Sequence, residues 1–115
     1  MDAGTLVLVH LGQPKEKYWG VLLALGPAGV TLRGLELDLF DDWARQQRPG
    51  ADAELGVATL FVPLHRIEKL FEDSRVGSVA SYAERFFDIV GSDVRGFLGL
   101  QAAGAVAAPS SSRPN

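Results

Sequence analysis

Three groups of side chains in this sequence have types and spacings that could do chemistry. Lys15-Glu16-Lys17-Tyr18-Trp19 sets two cations beside two aromatics, the materials of phosphate contact and base stacking. His65 and Arg66 add an imidazole that titrates near neutral pH and a guanidinium, so the residues available to an RNA are Lys15, Lys17, Tyr18, His65 and Arg66. Glu36, Asp38, Asp41 and Asp42, just ahead of Trp43, gather oxygens that suit magnesium or calcium, and paired carboxylates can share acid and base work. Their spacing lacks the glycine-centred loop of a calcium hand, so the plain reading is outward strand carboxylates followed by a helix cap. The stretch from Glu36 to Glu54 holds six acids against two arginines, a surface that repels phosphates and attracts a basic partner.

Other chemistries find little support. His10 and His65 are far apart and lack metal-ligand spacing. With no cysteine there is no thiolate centre, disulfide or cysteine nucleophile. Ser74, Ser78, Ser81 and Ser92 sit in loop or cap contexts, and Gly26-Pro27-Ala28-Gly29 has no lysine after it and reads as a hairpin turn rather than a phosphate loop. The expectation is no catalytic site, no metal and no cofactor.

The apolar residues say more. Trp19, Phe40, Trp43, Phe61, Phe71, Tyr82, Phe86, Phe87 and Phe97, with many leucines and valines, exceed what the narrow interior of a small barrel takes up. Phe86 and Phe87 are neighbours on a helix and point about 100° apart. Either that helix is sandwiched or one aromatic faces a partner, and Tyr82, Phe86, Phe87 and Trp43 are the candidate partner interface.

These residues need elements to position them. Thr5 to Leu11 reads as a first strand that stops at Gly12-Gln13-Pro14, and Tyr18 to Leu25 as a second that turns at Gly26-Pro27-Ala28-Gly29 into a third. In the third, Val30 and Leu32 share one parity while Leu35, Leu37 and Leu39 take the other, with Gly34 at the joint. Such a phase change turns the apolar set toward water unless the strand bends or bulges at the glycine. With the apolar set inward after the bend, Glu36 and Asp38 point outward. Phe40 to Gln47 reads as a short helical turn with an aspartate cap, Leu55 to Leu64 as a strand covered on both faces, and His65 to Phe71 places Ile67 and Leu70 inward. A helix from about Val79 to Val90 carries Val79, Tyr82, Phe86, Ile89 and Val90 on one stripe; Ser81-Tyr82-Ala83-Glu84 has capping-box spacing and Gly91 ends it. Ser92-Asp93 can cap a short second helix with Val94, Phe97 and Leu98.

Four or five short, bent strands followed by a helix resemble the small SH3-like barrels, and among them the Sm-like family. The residues that carry the resemblance are Trp19-Gly20-Val21-Leu22 opening a bent second strand, Gly29-Val30-Thr31-Leu32 after a tight turn, and Phe61-Val62-Pro63-Leu64-His65-Arg66-Ile67 as a late strand pair. The resemblance implies a ring-forming, RNA-binding protein. Between strands two and three, however, the chain has Gly26-Pro27-Ala28-Gly29 where that family commonly has an aspartate and asparagine motif, and its helix follows the strands.

Length and composition set the frame. At 115 residues the chain fits one core, and a net charge of −3 gives no general attraction to polyanions. No stretch reaches the roughly 18 apolar residues of a membrane-spanning helix, and the acidic start lacks the basic region of a signal peptide. The expected fold is mainly β: a strongly bent SH3/Sm-like barrel of about five strands over residues 1–74, an amphipathic helix and a short second helix over 75–100, and a mobile tail over 101–115. The expected function is a non-enzymatic, cytoplasmic interaction or assembly module, a homo-oligomer or one docked on a protein partner. Alternatives are Sm-like RNA binding and an activity at the acidic cluster.

Overall fold

The first strand shows why this chain forms a sheet covered on both faces. β1 (Leu6–Leu11) reads LVLVHL, so its alternation buries Leu6 and Leu8 on one side and Val7, Val9 and Leu11 on the other. In the computed structural model, which describes residues 1–100, β1 is followed by β2 (Glu16–Gly26), β3 (Gly29–Glu36), β4 (Ala58–Pro63) and β5 (Ile67–Glu72), paired antiparallel in the order β4-β3-β2-β1-β5. The expected tail over 101–115 lies outside the described residues.

The connection from β4 to β5 forces the sheet to curl. These strands occupy opposite edges, about 19 Å apart if the sheet were flat. They are joined only by the 3-10 turn Leu64–Arg66, which at roughly 2 Å per residue cannot span that gap. The sheet therefore bends until its edges approach, enclosing Val7, Val9, Leu11, Leu22, Val30, Leu32 and Val62 on its inner face. Leu64 N–H donates to the Ala28 carbonyl at 3.0 Å and Gly12 N–H to that of Arg66 at 3.0 Å, which ties the turn to both neighbouring loops. No ladder joins β4 to β5, so the expected barrel is a curled sheet that stays unclosed.

Gly34 works differently from the expectation. Leu35 does not share a core with Val30 and Leu32; it faces the outer side of the sheet, and the strand ends at Glu36, with Leu37–Leu39 forming a 3-10 turn. The change of parity is a change of which face is covered, and the bulge lies instead in β2, between Leu22 and Ala24. Gly34 pairs directly with Gly20, and a Cβ on it would meet the Trp19 carbonyl and lie 2.6 Å from Gly20 Cα. It is glycine because two backbones touch there.

The helices cover the outer face. α1 (Phe40–Gln46) and α2 (Tyr82–Val90) bury Phe40, Trp43, Ala44 and Phe86 against Leu6, Leu8, Trp19, Val21 and Leu35. The expected aspartate cap on α1 is absent: the helix begins at Phe40 with Leu39 as an N-cap without a side-chain bond, and Asp41 and Asp42 lie inside its first turn, bound by Arg85 and Arg45. The Ser81 capping box forms as read, with Glu84 N–H donating to Ser81 Oγ at 3.0 Å and Ser81 N–H to Glu84 Oε1 at 2.8 Å. That backbone donor, joined by Arg75, holds the Glu84 carboxyl below its ordinary range. Gly91, at φ +85°, ends α2, and Asp93 caps the 3-10 helix Val94–Phe97.

Candidate functional site

Most of the expected interface aromatics are core. Trp43 and Phe86 are buried, in a chain of rings in which Trp43 lies 5.2 Å from Phe86, Phe86 5.2 Å from Phe97, and Tyr82, half-buried, meets Phe40 edge-on at 5.0 Å. Of the four, Phe87 alone points outward, 56% exposed. α2 is thus sandwiched on the Phe86 side and bare on the Phe87 side, as the 100° between neighbouring helical residues requires.

The residues read as RNA contacts do not share one surface. Lys17 and Tyr18 are adjacent in β2 and so face opposite sides of the sheet; Tyr18 packs against the inner cluster, and burial with Glu16 and Glu36 nearby raises its hydroxyl pKa. Arg66 is occupied, donating to the carbonyls of Gly12 at 3.2 Å and Pro14 at 2.8 Å and to Glu16 at 3.1 Å. Lys15 and His65 are exposed. The acids are dispersed in the same way: Asp41 and Asp42 are bound to arginines, whereas Glu36 and Asp38 line a cleft on another side. Among the described residues no group of three or more His, Asp or Glu could hold a metal ion.

A different site emerges where β5 runs toward α2. At the end of β5, Asp73 accepts from the Trp19 indole N–H at 3.1 Å and from the backbone N–H groups of Tyr82 at 2.8 Å and Ala83 at 3.0 Å. Its carboxylate caps α2 and fixes Tyr82 as its first residue. Val79, expected on the helix stripe, is consequently left outside the helix. It closes a tight turn with Val76, each N–H bonding the other's carbonyl at 2.9–3.0 Å, with Gly77 in the left-handed region at φ +59°. The turn holds Val76 and Val79 in water, 71% and 68% exposed.

This turn is one wall of an apolar groove of about 260 Å³. Leu8, Phe71, Leu37 and Tyr82 line it, with Glu72, Asp73 and Ser74 and the cationic Lys17 beside His10 among its polar groups. The same His10 and Lys17 also line a second cleft of about 460 Å³ with Lys15 and Lys69. The strand register sets His10 in a row between two lysines, because it pairs with Lys17 on β2 and with Lys69 on β5. Residues directly opposite across a ladder share a face at about 5 Å between Cβ atoms. Phe71 meets the His10 ring edge-on at 5.0 Å. Partial burial, then Lys17 and Lys69, lower the His10 pKa from its usual 6.5, outweighing the opposing pull of Glu68.

Sequence reading missed Asp73, Val76, Lys69 and the place of His10. The Val-Gly-Ser-Val turn signature was present at 76–79, whereas the row of His10 with its two lysines depends on pairing between strands more than fifty residues apart. No helix among the described residues is long and apolar enough to cross a membrane. Compared with protein-family models, with curated proteins and with solved structures, the chain matches none.

Proposed function

We propose that the protein is a non-enzymatic docking module that takes an extended segment of a protein partner into the groove between β5, the 76–79 turn and α2. The observation that carries this reading is the exposure of Val76 and Val79 on a hydrogen-bonded turn beside Phe71, which is 40% exposed. A monomer gains nothing by fixing two valines in water, and contiguous apolar surface rimmed by polar residues is what a partner covers. The turn is fixed by its own two hydrogen bonds, which lowers the ordering cost of binding.

The test is selection of peptides from a displayed random library on the immobilised protein. Enrichment of sequences with a bulky apolar residue, lost in Val79→Asp and in Phe71→Asp while circular dichroism shows the fold intact, supports docking here; no enrichment overturns it. Mixed-sequence single-stranded RNA should not bind even at low salt, where phosphate attraction is strongest.

Self-association is a second reading, favoured by two unpaired sheet edges, β4 and β5, and by Phe87. We read the curled sheet, with β4 and β5 joined by one short turn, as similar to the small SH3-like and Sm-like barrels. Light scattering that gives a monomer over a wide concentration range rejects self-association, and in an oligomer Phe87→Asp should release monomers without unfolding them.

A further inference from the structure

The chain has only three lysines, and all three, Lys15, Lys17 and Lys69, line one cleft. The arginines behave in the opposite way. Each of the seven described arginines donates to a group within the protein: Arg33 to Leu98 and Thr59, Arg45 to Asp42, Arg48 to Ile89, Arg66 to the β1–β2 turn, Arg75 to Glu84, Arg85 to Asp41 and Arg95 to Gly4. None of the lysines forms an ion pair among the described residues. Charge that holds the fold together is carried by arginine, and charge left unspent is carried by lysine at one place.

That charge is concentrated on one face of the sheet. Lys17, His10 and Lys69 lie abreast on three adjacent strands, a row of two lysines with the imidazole between them. Four acids share the cleft, but Glu16 is taken by Arg66, and Glu36, Asp38 and Glu68 form no ion pair among the described residues. The groove adjoins the row directly. Phe71 is two residues beyond Lys69 on β5 and Leu8 two residues before His10 on β1, so the apolar floor and the row are separated by about 7 Å along the strands.

Resting on the docking reading above, we infer that the partner segment is acidic as well as apolar: a bulky apolar side chain enters the groove against Phe71, Val76 and Val79, and a carboxylate two residues away along the extended segment meets Lys17 and Lys69. The spacing follows from the ligand's own geometry, since residues i and i+2 of an extended chain lie on one face at the same separation of about 7 Å. The carboxylate pairs with the two lysines, so binding is salt-dependent where the apolar contact is not. Specificity arises because a segment with a lysine at that position meets Lys17 and Lys69.

The selection experiment reads this directly. From a random library the enriched peptides should carry an apolar residue and, two positions from it, Asp or Glu. On the Lys17→Glu/Lys69→Glu variant the second position should change to Lys or Arg, and a peptide selected on the original protein should bind that variant at least tenfold more weakly. Enrichment of apolar peptides with no acidic position overturns this inference and leaves the docking reading standing, whereas no enrichment overturns both. If the double variant fails to fold, Lys69→Glu alone serves, with loss of the acidic preference expected and its retention fatal to the proposal.

Discussion

Replacing Asp73 with alanine should destabilise the protein far more than a half-exposed carboxylate normally would. Its two oxygens take three hydrogen bonds, from the Trp19 indole and from the amides of Tyr82 and Ala83. Trp19 is fully buried, so the orphaned indole N–H carries an unsatisfied-donor penalty of about 1–3 kcal/mol. The two amides belong to the first turn of α2, where Ser81 still caps and water can enter, and their loss adds roughly 1 kcal/mol together. The expected total is about 2–4 kcal/mol, with some overlap because the three bonds share one carboxylate. For a urea slope of about 1.5 kcal/mol/M the midpoint falls by roughly 1.3–2.7 M, followed by tryptophan fluorescence and circular dichroism. Asp73→Asn, which keeps one acceptor, should lie between the two. Asp93→Ala is the control, since that carboxylate caps a short 3-10 helix by one bond to Arg95, and it should cost less than about 1 kcal/mol. An Asp73→Ala midpoint no lower than that of the control would refute the account of how β5, Trp19 and α2 are joined, and with it the explanation of why Val79 lies outside the helix.

Three other outcomes are expected. Gly34→Ala forces a Cβ against the Trp19 carbonyl and Gly20 and should cost at least about 3 kcal/mol, while Gly56→Ala, where a Cβ meets nothing within 4 Å, should leave the urea midpoint unchanged. Phe86→Ala should cost about 3–5 kcal/mol, and the neighbouring Phe87→Asp should leave the melting temperature nearly in place. In an NMR titration His10 should protonate below its usual 6.5, and Lys69→Glu should move that pKa up by replacing a cation with an anion. Because the folded state binds this proton less readily than the unfolded chain, His10 takes stability away as pH falls from 6.5 through its lowered folded value; Lys69→Glu should lessen that loss.

The parts legible in the sequence are those that rest on near neighbours. The Gly26–Gly29 hairpin, the Ser81 capping box and the Gly91 stop each depend on residues within a few positions, and each forms where the spacing puts it. The alternation around Gly34 was also visible, but its meaning was not, because parity alone does not reveal that both faces of the sheet are covered. Trp43 and Phe86 read as surplus aromatics only while the outer face of the sheet is left out of the core; once α1 and α2 lie across it, these rings fill the space between. The groove was illegible for a further reason. Its wall depends on Asp73 reaching across to start α2 at Tyr82, and its cations on the register of β5 against β1, both products of tertiary packing.

What distinguishes the groove from the rest of the surface is that two local rules fail there together. Elsewhere each described arginine donates to a group within the protein, and the glycine at Gly34 is where a side chain will not fit. At the groove, Val76 and Val79 are held in water by a turn that could carry polar residues, and Lys17 and Lys69 flank His10 with no ion pair of their own among the described residues. Each feature on its own is an ordinary imperfection. Their adjacency, through the shared His10 and Lys17, is better explained by one ligand than by two unrelated costs, because breaches of local consistency gather where a protein binds something. One ligand that is apolar at one residue and acidic two residues on satisfies both, and neither a purely basic partner nor a bare hydrophobic one does.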